Sequence, residues 1–207
     1  MKSISVVIGT FGDADVWSRQ AVRAVRSAQA QSFEPEGIYY QHGRSLHEAR
    51  NEGAERAAGE WLCFLDADDE LDAHYLRHMT VAIESNGGWD LLLQPATLGV
   101  VGDREDPFPV VIPKKPLLEG NYMVIGTVIR RDSFLRAGGF RDFTMYEDWD
   151  LWIRMALEGA QHVAVPLAVY RVHVNQNSRN NGSRSDQVAV YKAIRNEHIN
   201  HPNARRL

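Results

Sequence analysis

Three aspartates fall within four residues at Asp66-Ala67-Asp68-Asp69, directly behind the apolar run Trp61-Leu62-Cys63-Phe64-Leu65. Carboxylates this close repel one another unless a cation or solvent relieves them. An all-oxygen donor set suits a hard divalent ion, Mg²⁺ or Mn²⁺, which keeps open positions for phosphate oxygens. The bland alternative is an acidic turn that caps the next helix. Position decides for a ligand role, because open parallel sheets bind ligands outside the carboxyl ends of their strands. The loop is not an EF-hand: its sixth position is Leu71 rather than glycine and its twelfth is Arg77 rather than glutamate. A second acidic pair, Glu147-Asp148, heads a segment of helical spacing, where unpaired amides and the helix dipole favour a charged carboxylate.

Other chemistries lack their residues. No G-x-x-x-x-G-K-[ST] or G-x-G-x-x-G occurs, so neither phosphate-cradling loop is present. His47-Glu48 begins an H-E-x-x-H but Asn51 stands in the place of the second histidine. Cys63 lies inside an apolar strand and reads as core rather than as a thiol nucleophile. It is the one cysteine, which excludes an internal disulfide and any multi-cysteine zinc site.

The elements that must hold these residues can be read from the pattern. Residues 3–9 form a β-branched strand ending on Gly9, and Asp13 or Asp15 caps the helix behind it. A second strand covers Gly37–Tyr40. Ser45 and Glu48 make a capping box for a helix to about Ala58, which Gly59 stops. Residues 60–65 are the third strand, and 71–85 are helical until Gly87-Gly88. This alternation predicts an α/β fold with a mostly parallel sheet between helices. The second half is mixed: short strands at Leu91–Leu93, Leu98–Val101, Pro109–Ile112 and Val124–Arg130, helices at Asp132–Ala137 and Glu147–Glu158, and a strand at Val163–Val172 carrying Pro166. A polar loop at Asn175–Ser185 and a helix at Gln187–Ile199 complete the chain. One domain of 1–207 is expected, with a nucleotide-binding half to about 95, a second half over about 96–178, and a loop and helix beyond.

The 207 residues suffice for a real core, and the net charge of −4 disfavours a nucleic-acid or anionic-membrane surface. No apolar run reaches the length of a signal peptide or a membrane span, so a cytoplasmic location is expected. Asn181-Gly182-Ser183, a formal glycosylation sequon, is then a chance match. Self-association is not decided by the sequence.

Five motifs occur in order: Ile4-Ser5-Val6-Val7-Ile8-Gly9-Thr10-Phe11, Ala49-Arg50-Asn51-Glu52-Gly53, Phe64-Leu65-Asp66-Ala67-Asp68-Asp69, Gly138-Gly139-Phe140 and Tyr146-Glu147-Asp148-Trp149-Asp150-Leu151-Trp152. Together, from about residue 3 to about 178, they resemble the inverting family-2 glycosyltransferases of GT-A fold. The resemblance implies a metal-dependent transfer from a nucleoside-diphosphate sugar, UDP ahead of GDP, to an acceptor hydroxyl. It assigns Thr10, Phe11, Asp13 and Arg50 to the nucleotide pocket, Asp66 to the ribose, and Asp68 with His173 to Mn²⁺ or Mg²⁺. Asp148 takes the acceptor proton and Glu147 orients the acceptor. Trp149 and Trp152 stand on the acceptor side, either stacking on sugar or buried in core.

Two departures stand out. Gly9 occupies the family's usual proline, and the second strand ends Tyr40-Gln41-His42-Gly43 without the usual carboxylate, leaving Gln41 or backbone to read a base. Two other functions compete. A nucleotidyltransferase would need a basic, glycine-rich loop where Thr10-Phe11-Gly12-Asp13-Ala14-Asp15 is acidic. An inactive nucleotide-sugar-binding or scaffolding domain would tolerate decay of acidic motifs that are intact.

Overall fold

The computed structural model describes residues 2–87, 90–101, 104–108, 116–174 and 183–204. Chain order is β1 (Ile4–Phe11), α1 (Ala14–Gln29), β2 (Gly37–Gly43), α2 (Leu46–Arg56), β3 (Trp61–Phe64), β4 (Glu70–Leu71), α3 (Tyr75–Ser85), β5 (Leu91–Val101), β6 (Arg104–Phe108), a 3₁₀ turn at Leu117–Glu119, β7 (Val128–Arg130), α4 (Arg131–Arg136), α5 (Glu147–Leu157), β8 (Gln161–His173) and α6 (Arg184–His198). The strands make one eight-stranded sheet in the order β2-β1-β3-β7-β5-β8-β4, with β6 against β5.

The first half is the expected parallel unit: β1 pairs in parallel with both β2 and β3. Buried on both faces, β1 and β3 are apolar without alternation, as such strands must be. Beyond β3 the sheet is mixed, with β7 antiparallel to β3 and β5, and β8 parallel to β5. The carboxyl ends of β2, β1 and β3 therefore lie side by side, and the candidate chemistry follows directly from them.

Local signals explain most boundaries. The Asp13 carboxylate caps α1 by accepting from the Asp15 and Val16 amides. Ser45 caps α2 through the Glu48 amide, but the Glu48 carboxylate turns to Arg44 instead of closing the box. Sequence periodicity misplaces the middle of the chain. Leu91–Leu93 and Leu98–Val101 are one strand, because β5 passes through Pro95 by shifting register against β8 at Pro95/Ala96. The shift leaves Pro166–Ala168 of β8 without β5 partners, so Pro166 owes the ladder no N–H there. The stretch expected as helix from 71 opens with Leu71 in β4, and only Val128–Arg130 of the predicted 124–130 strand is extended. The predicted strand at 109–112, the loop over 175–182 and Gly88 lie outside the described residues.

Candidate functional site

The Asp66–Asp69 turn begins two residues past β3. The Leu65 amide still bonds to the Val7 carbonyl, and the Asp69 amide then closes the turn on the Asp66 carbonyl at 3.0 Å. Ligand oxygens of Asp66, Asp68 and Asp69 all lie within 4.8 Å of one another. Asp69 was not among the expected ligands, yet it is the buried member. Burial, then the negative charges of Asp66 and Asp68, push its carboxyl up to about 8, against stabilising contacts from the His173 amide and Tyr170. An oxygen-only cluster of three carboxylates, of which Arg50 meets Asp66, fits a hard divalent cation.

Tyr170 of β8 is the second residue that sequence reasoning missed. Its buried hydroxyl accepts from the Asp66 amide at 3.0 Å and fixes the turn. The available signal was its place in Tyr170-Arg171-Val172-His173, where strand alternation turns it opposite to Arg171 and toward the core. His173, the expected metal ligand, holds this corner differently. Its amide donates to Asp69 at 2.8 Å, while the ring Nε2 lies 2.6 Å from Glu70. The imidazole is thus engaged by Glu70, outside the aspartate group.

Arg50 is no solvated helix charge. It is buried in α2 and bridges two motifs that are far apart in sequence, meeting Asp66 at 2.5 Å and Glu147 at 2.7 Å. Its guanidinium also lies 5.2 Å from the centre of the Phe140 ring. Burial works against its charge, but the two acids together outweigh it and raise its pKa further above an already high value, so it is a permanent cation between the two halves of the site. The other motifs exist to seat this group. A Cβ at Gly9 would come within 2.8 Å of the Arg50 side chain, which explains why a larger residue is absent there. Asn51 clamps the Gly138-Gly139-Phe140 turn, donating to the Phe140 carbonyl and accepting from its amide, each at 2.9 Å. Gly139 adopts φ +67, and a Cβ there would strike Asn51.

Glu147 is buried in the first turn of α5; Asp148 beside it is half-buried. Tyr146 precedes them at φ 62, a left-handed conformation uncommon outside glycine, and so aims the start of the helix. One Asp148 oxygen, Oδ1, accepts from the Trp149 amide at 2.7 Å and from Asn121 at 3.2 Å. The expectation that the helix terminus keeps this acid fully ionised needs correction. Burial and the neighbouring Glu147 raise Asp148 to about 7, outweighing Trp149, Arg50 and Asn121.

The remaining expected residues separate clearly. The Thr10 hydroxyl is buried at the end of β1 and faces His42 Nδ1 at 3.0 Å and the Tyr40 hydroxyl at 3.1 Å. Phe11 ends the same strand partly exposed, and Asp13 is exposed but serves as a helix cap. Both ends of the Gln41 amide are taken, by Glu52 at 2.6 Å and Arg56 at 2.8 Å, so it is held against α2. Trp149 and Trp152 are fully buried, which removes them from any sugar-stacking role. Trp149 donates to the Leu117 carbonyl at 2.7 Å and stacks on Tyr191 at 4.7 Å. Helical spacing after an acidic pair had put both on the apolar face, and that face is core. Burial likewise pushes the Cys63 thiol up to about 12, which makes it inert.

Residues 18–89 match the family described as Glycosyl transferase family 2. Among curated proteins, the chain is 24% identical over 173 residues to an "uncharacterized glycosyltransferase" of Haemophilus influenzae, covering 78% of this chain and 59% of that protein. It is 28% identical over 151 residues to the "amylovoran biosynthesis glycosyltransferase AmsB" of Erwinia amylovora, covering 65% and 49%. The chain therefore spans half to three fifths of the length of these relatives. Among solved structures, S. aureus TarS 1-349 in complex with UDP-GlcNAc superposes with TM-score 0.72 at 15% identity, covering 98% of this chain and 68% of that one. A structure of S. aureus TarS gives TM-score 0.69 at 17% identity, covering 98% and 40%. At these identities the superpositions speak for the fold.

Proposed function

We propose that the chain is a family-2 glycosyltransferase of GT-A fold, and that it transfers a sugar from a nucleoside-diphosphate sugar to an acceptor hydroxyl with inversion at the anomeric carbon. The observation that carries the reading is Arg50 joining Asp66, at the strand ends, to Glu147, at the head of α5. One buried cation makes a donor-side and an acceptor-side motif into a single site. UDP-sugars come before GDP-sugars because the neighbour TarS 1-349 was solved with UDP-GlcNAc.

Thr10 and Phe11 at the end of β1, with Asp66 beside them, face the nucleotide; Asp13 lies at its rim. Asp66, Asp68 and Asp69 would hold Mn²⁺ or Mg²⁺, which when bound would neutralise the departing diphosphate. Asp148 takes the proton of the acceptor hydroxyl. A carboxyl raised to about 7 is better matched to this task than an ordinary aspartate, since a base works best with its pKa near the operating pH. Glu147 stays bound to Arg50 and fixes the direction in which α5 presents Asp148.

The experiment is a thermal-shift series with UDP, GDP and a panel of their sugars, with and without Mn²⁺. A ligand at 100 times its dissociation constant stabilises by about 2.7 kcal/mol. Stabilisation by a UDP-sugar that needs Mn²⁺ and disappears in Asp68→Ala supports the donor site. Proton NMR of the fresh product then reads the anomeric configuration, and retention would remove the direct-displacement mechanism.

A further inference from the structure

We propose that Asn121 is a positioning residue for the transfer, pinning Oδ1 of Asp148 so that Oδ2 is the oxygen that receives the acceptor proton. The inference rests on the reading of Asp148 as the base. It starts from the direction of the Asn121 amide. The carbonyl end accepts from the Met123 amide at 3.1 Å, and this fixes which end is which. The NH₂ end is therefore the one at Asp148 Oδ1, 3.2 Å away.

Oδ1 also takes the Trp149 amide at 2.7 Å. Two donors thus meet that oxygen: one from the helix that carries the base, one from a different segment. Among the described residues no hydrogen bond reaches Oδ2. The carboxylate thus has one oxygen fixed by the protein and one left for the acceptor.

The Asn121 segment is itself braced. Gln94, buried in β5, donates to the Tyr122 carbonyl at 2.8 Å. Its other end meets His162 Nε2 at 2.6 Å, and the Tyr122 and His162 rings pack edge-to-face at 5.7 Å. A loop held by a buried amide and an aromatic pair is rigid enough to position a partner. The charged neighbours of Asp148 are Glu147 on its own helix and Arg50 on α2. The rotation of the carboxylate is set by its hydrogen bonds to Asn121 and the Trp149 amide.

In the step, the acceptor O–H bond breaks and its proton goes to Oδ2. The acceptor oxygen forms its bond to the anomeric carbon as the bond to the diphosphate oxygen breaks, and that electron pair leaves with the nucleotide. A carboxylate turned about its Cβ–Cγ bond would offer the proton-accepting oxygen in the wrong direction.

Two variants test this. Asn121→Ala removes the donor. Asn121→Asp keeps an oxygen to accept the Met123 amide, preserving the turn, but sets a carboxylate against Oδ1. The first readout needs no substrate: ¹³C NMR of labelled aspartate carboxyls, with the Asp148 signal identified by its loss in Asp148→Asn. Its titration midpoint is expected to rise in Asn121→Ala and to rise further in Asn121→Asp. The second readout is nucleotide release from UDP-GlcNAc with Mn²⁺ against pH. The turnover number is expected to fall about tenfold, the worth of one hydrogen bond to a charged group, with the Michaelis constant for donor unchanged. Unmoved midpoints and wild-type release in both variants would overturn the role of Asn121. Release that persists in Asp148→Asn would instead overturn the base assignment on which it rests.

Discussion

The first turn of α5 carries Glu147, Asp148 and Asp150, and these acids belong to two regions with opposite electrostatics. Asp150 is fully buried and held by the Arg141 guanidinium, by Arg154 at 2.9 Å and by the His198 ring at 2.9 Å. These contacts hold its carboxyl far below the usual range despite burial. Two positions earlier, Asp148 has burial and Glu147 against it and is raised to about 7. At the Asp66–Asp69 turn three carboxylates face the one guanidinium of Arg50, which meets Asp66. Asp150, Glu197 and His198 are as close together as the three aspartates, so proximity alone nominates both groups for a metal. Counting arginines separates them. One is a lock between α5 and α6; the other is poised to receive a cation.

Stability should divide the two regions most sharply. Asp150→Ala strands Arg141 and Arg154 partly buried, a loss expected to cost about 3–5 kcal/mol. At about 2–4 °C per kcal/mol for a chain of this size, calorimetry should show a fall of roughly 6–20 °C. Asp68→Ala, in the cluster where three carboxylates face the single guanidinium of Arg50, should leave the apo protein as stable as before or slightly more so, while abolishing stabilisation by UDP with Mn²⁺. Comparable losses in both variants would erase the distinction.

Turnover should separate the two acids of α5 next. Asp148→Asn keeps the size and the Trp149 hydrogen bond but cannot take a proton. Its turnover is expected to drop by on the order of 10²–10⁴ with donor affinity retained, measured by nucleotide release and calorimetric titration. A matched loss of affinity would mark Asp148 as a cap.

The pH dependence follows with a definite sign. The base must be ionised, so activity should fall as pH drops through about 7 and level off above it. For folding the same shift works the other way. A raised carboxyl binds its proton more tightly in the folded chain, so Asp148 ionisation opposes folding as pH climbs from the ordinary carboxylate range toward 7. Asp150, depressed in the folded chain, contributes stability above its unfolded pKa that is lost as pH falls through the acidic range. The smallest effect is expected at His173. Its ring pairs with Glu70, so His173→Ala should leave the Mn²⁺ titration of donor binding unchanged within error, and a shifted midpoint would return the histidine to the metal.

How much of this was legible in the sequence depends on the range of the interaction. The parallel β2-β1-β3 unit, the caps at Asp13 and Ser45, and the Asp66–Asp69 turn rest on neighbours along the chain, and local pattern reaches them. The partners that define the site do not share a neighbourhood: Arg50 meets Glu147 across 97 positions and Tyr170 meets Asp66 across 104. A solvated charge and a buried bridge look alike when only the spacing on a helix is known. The choice between sugar stacking and core stayed open at Trp149 and Trp152 for the same reason. An apolar helical stripe states that something covers it, and only the packing of Tyr191 and the core says what. Asn121 carried no motif, because its value lies in the Met123 amide that fixes its orientation.

The most direct measurement is nucleotide release from a panel of UDP- and GDP-sugars with Mn²⁺, run side by side on the wild-type chain and on Asp148→Asn at equal donor saturation. The account requires Mn²⁺-dependent release from at least one UDP-sugar by the wild type and its near-complete loss in Asp148→Asn, with donor binding intact in both. Tight, metal-dependent donor binding without release by the wild type, or equal release by the two proteins, would contradict it.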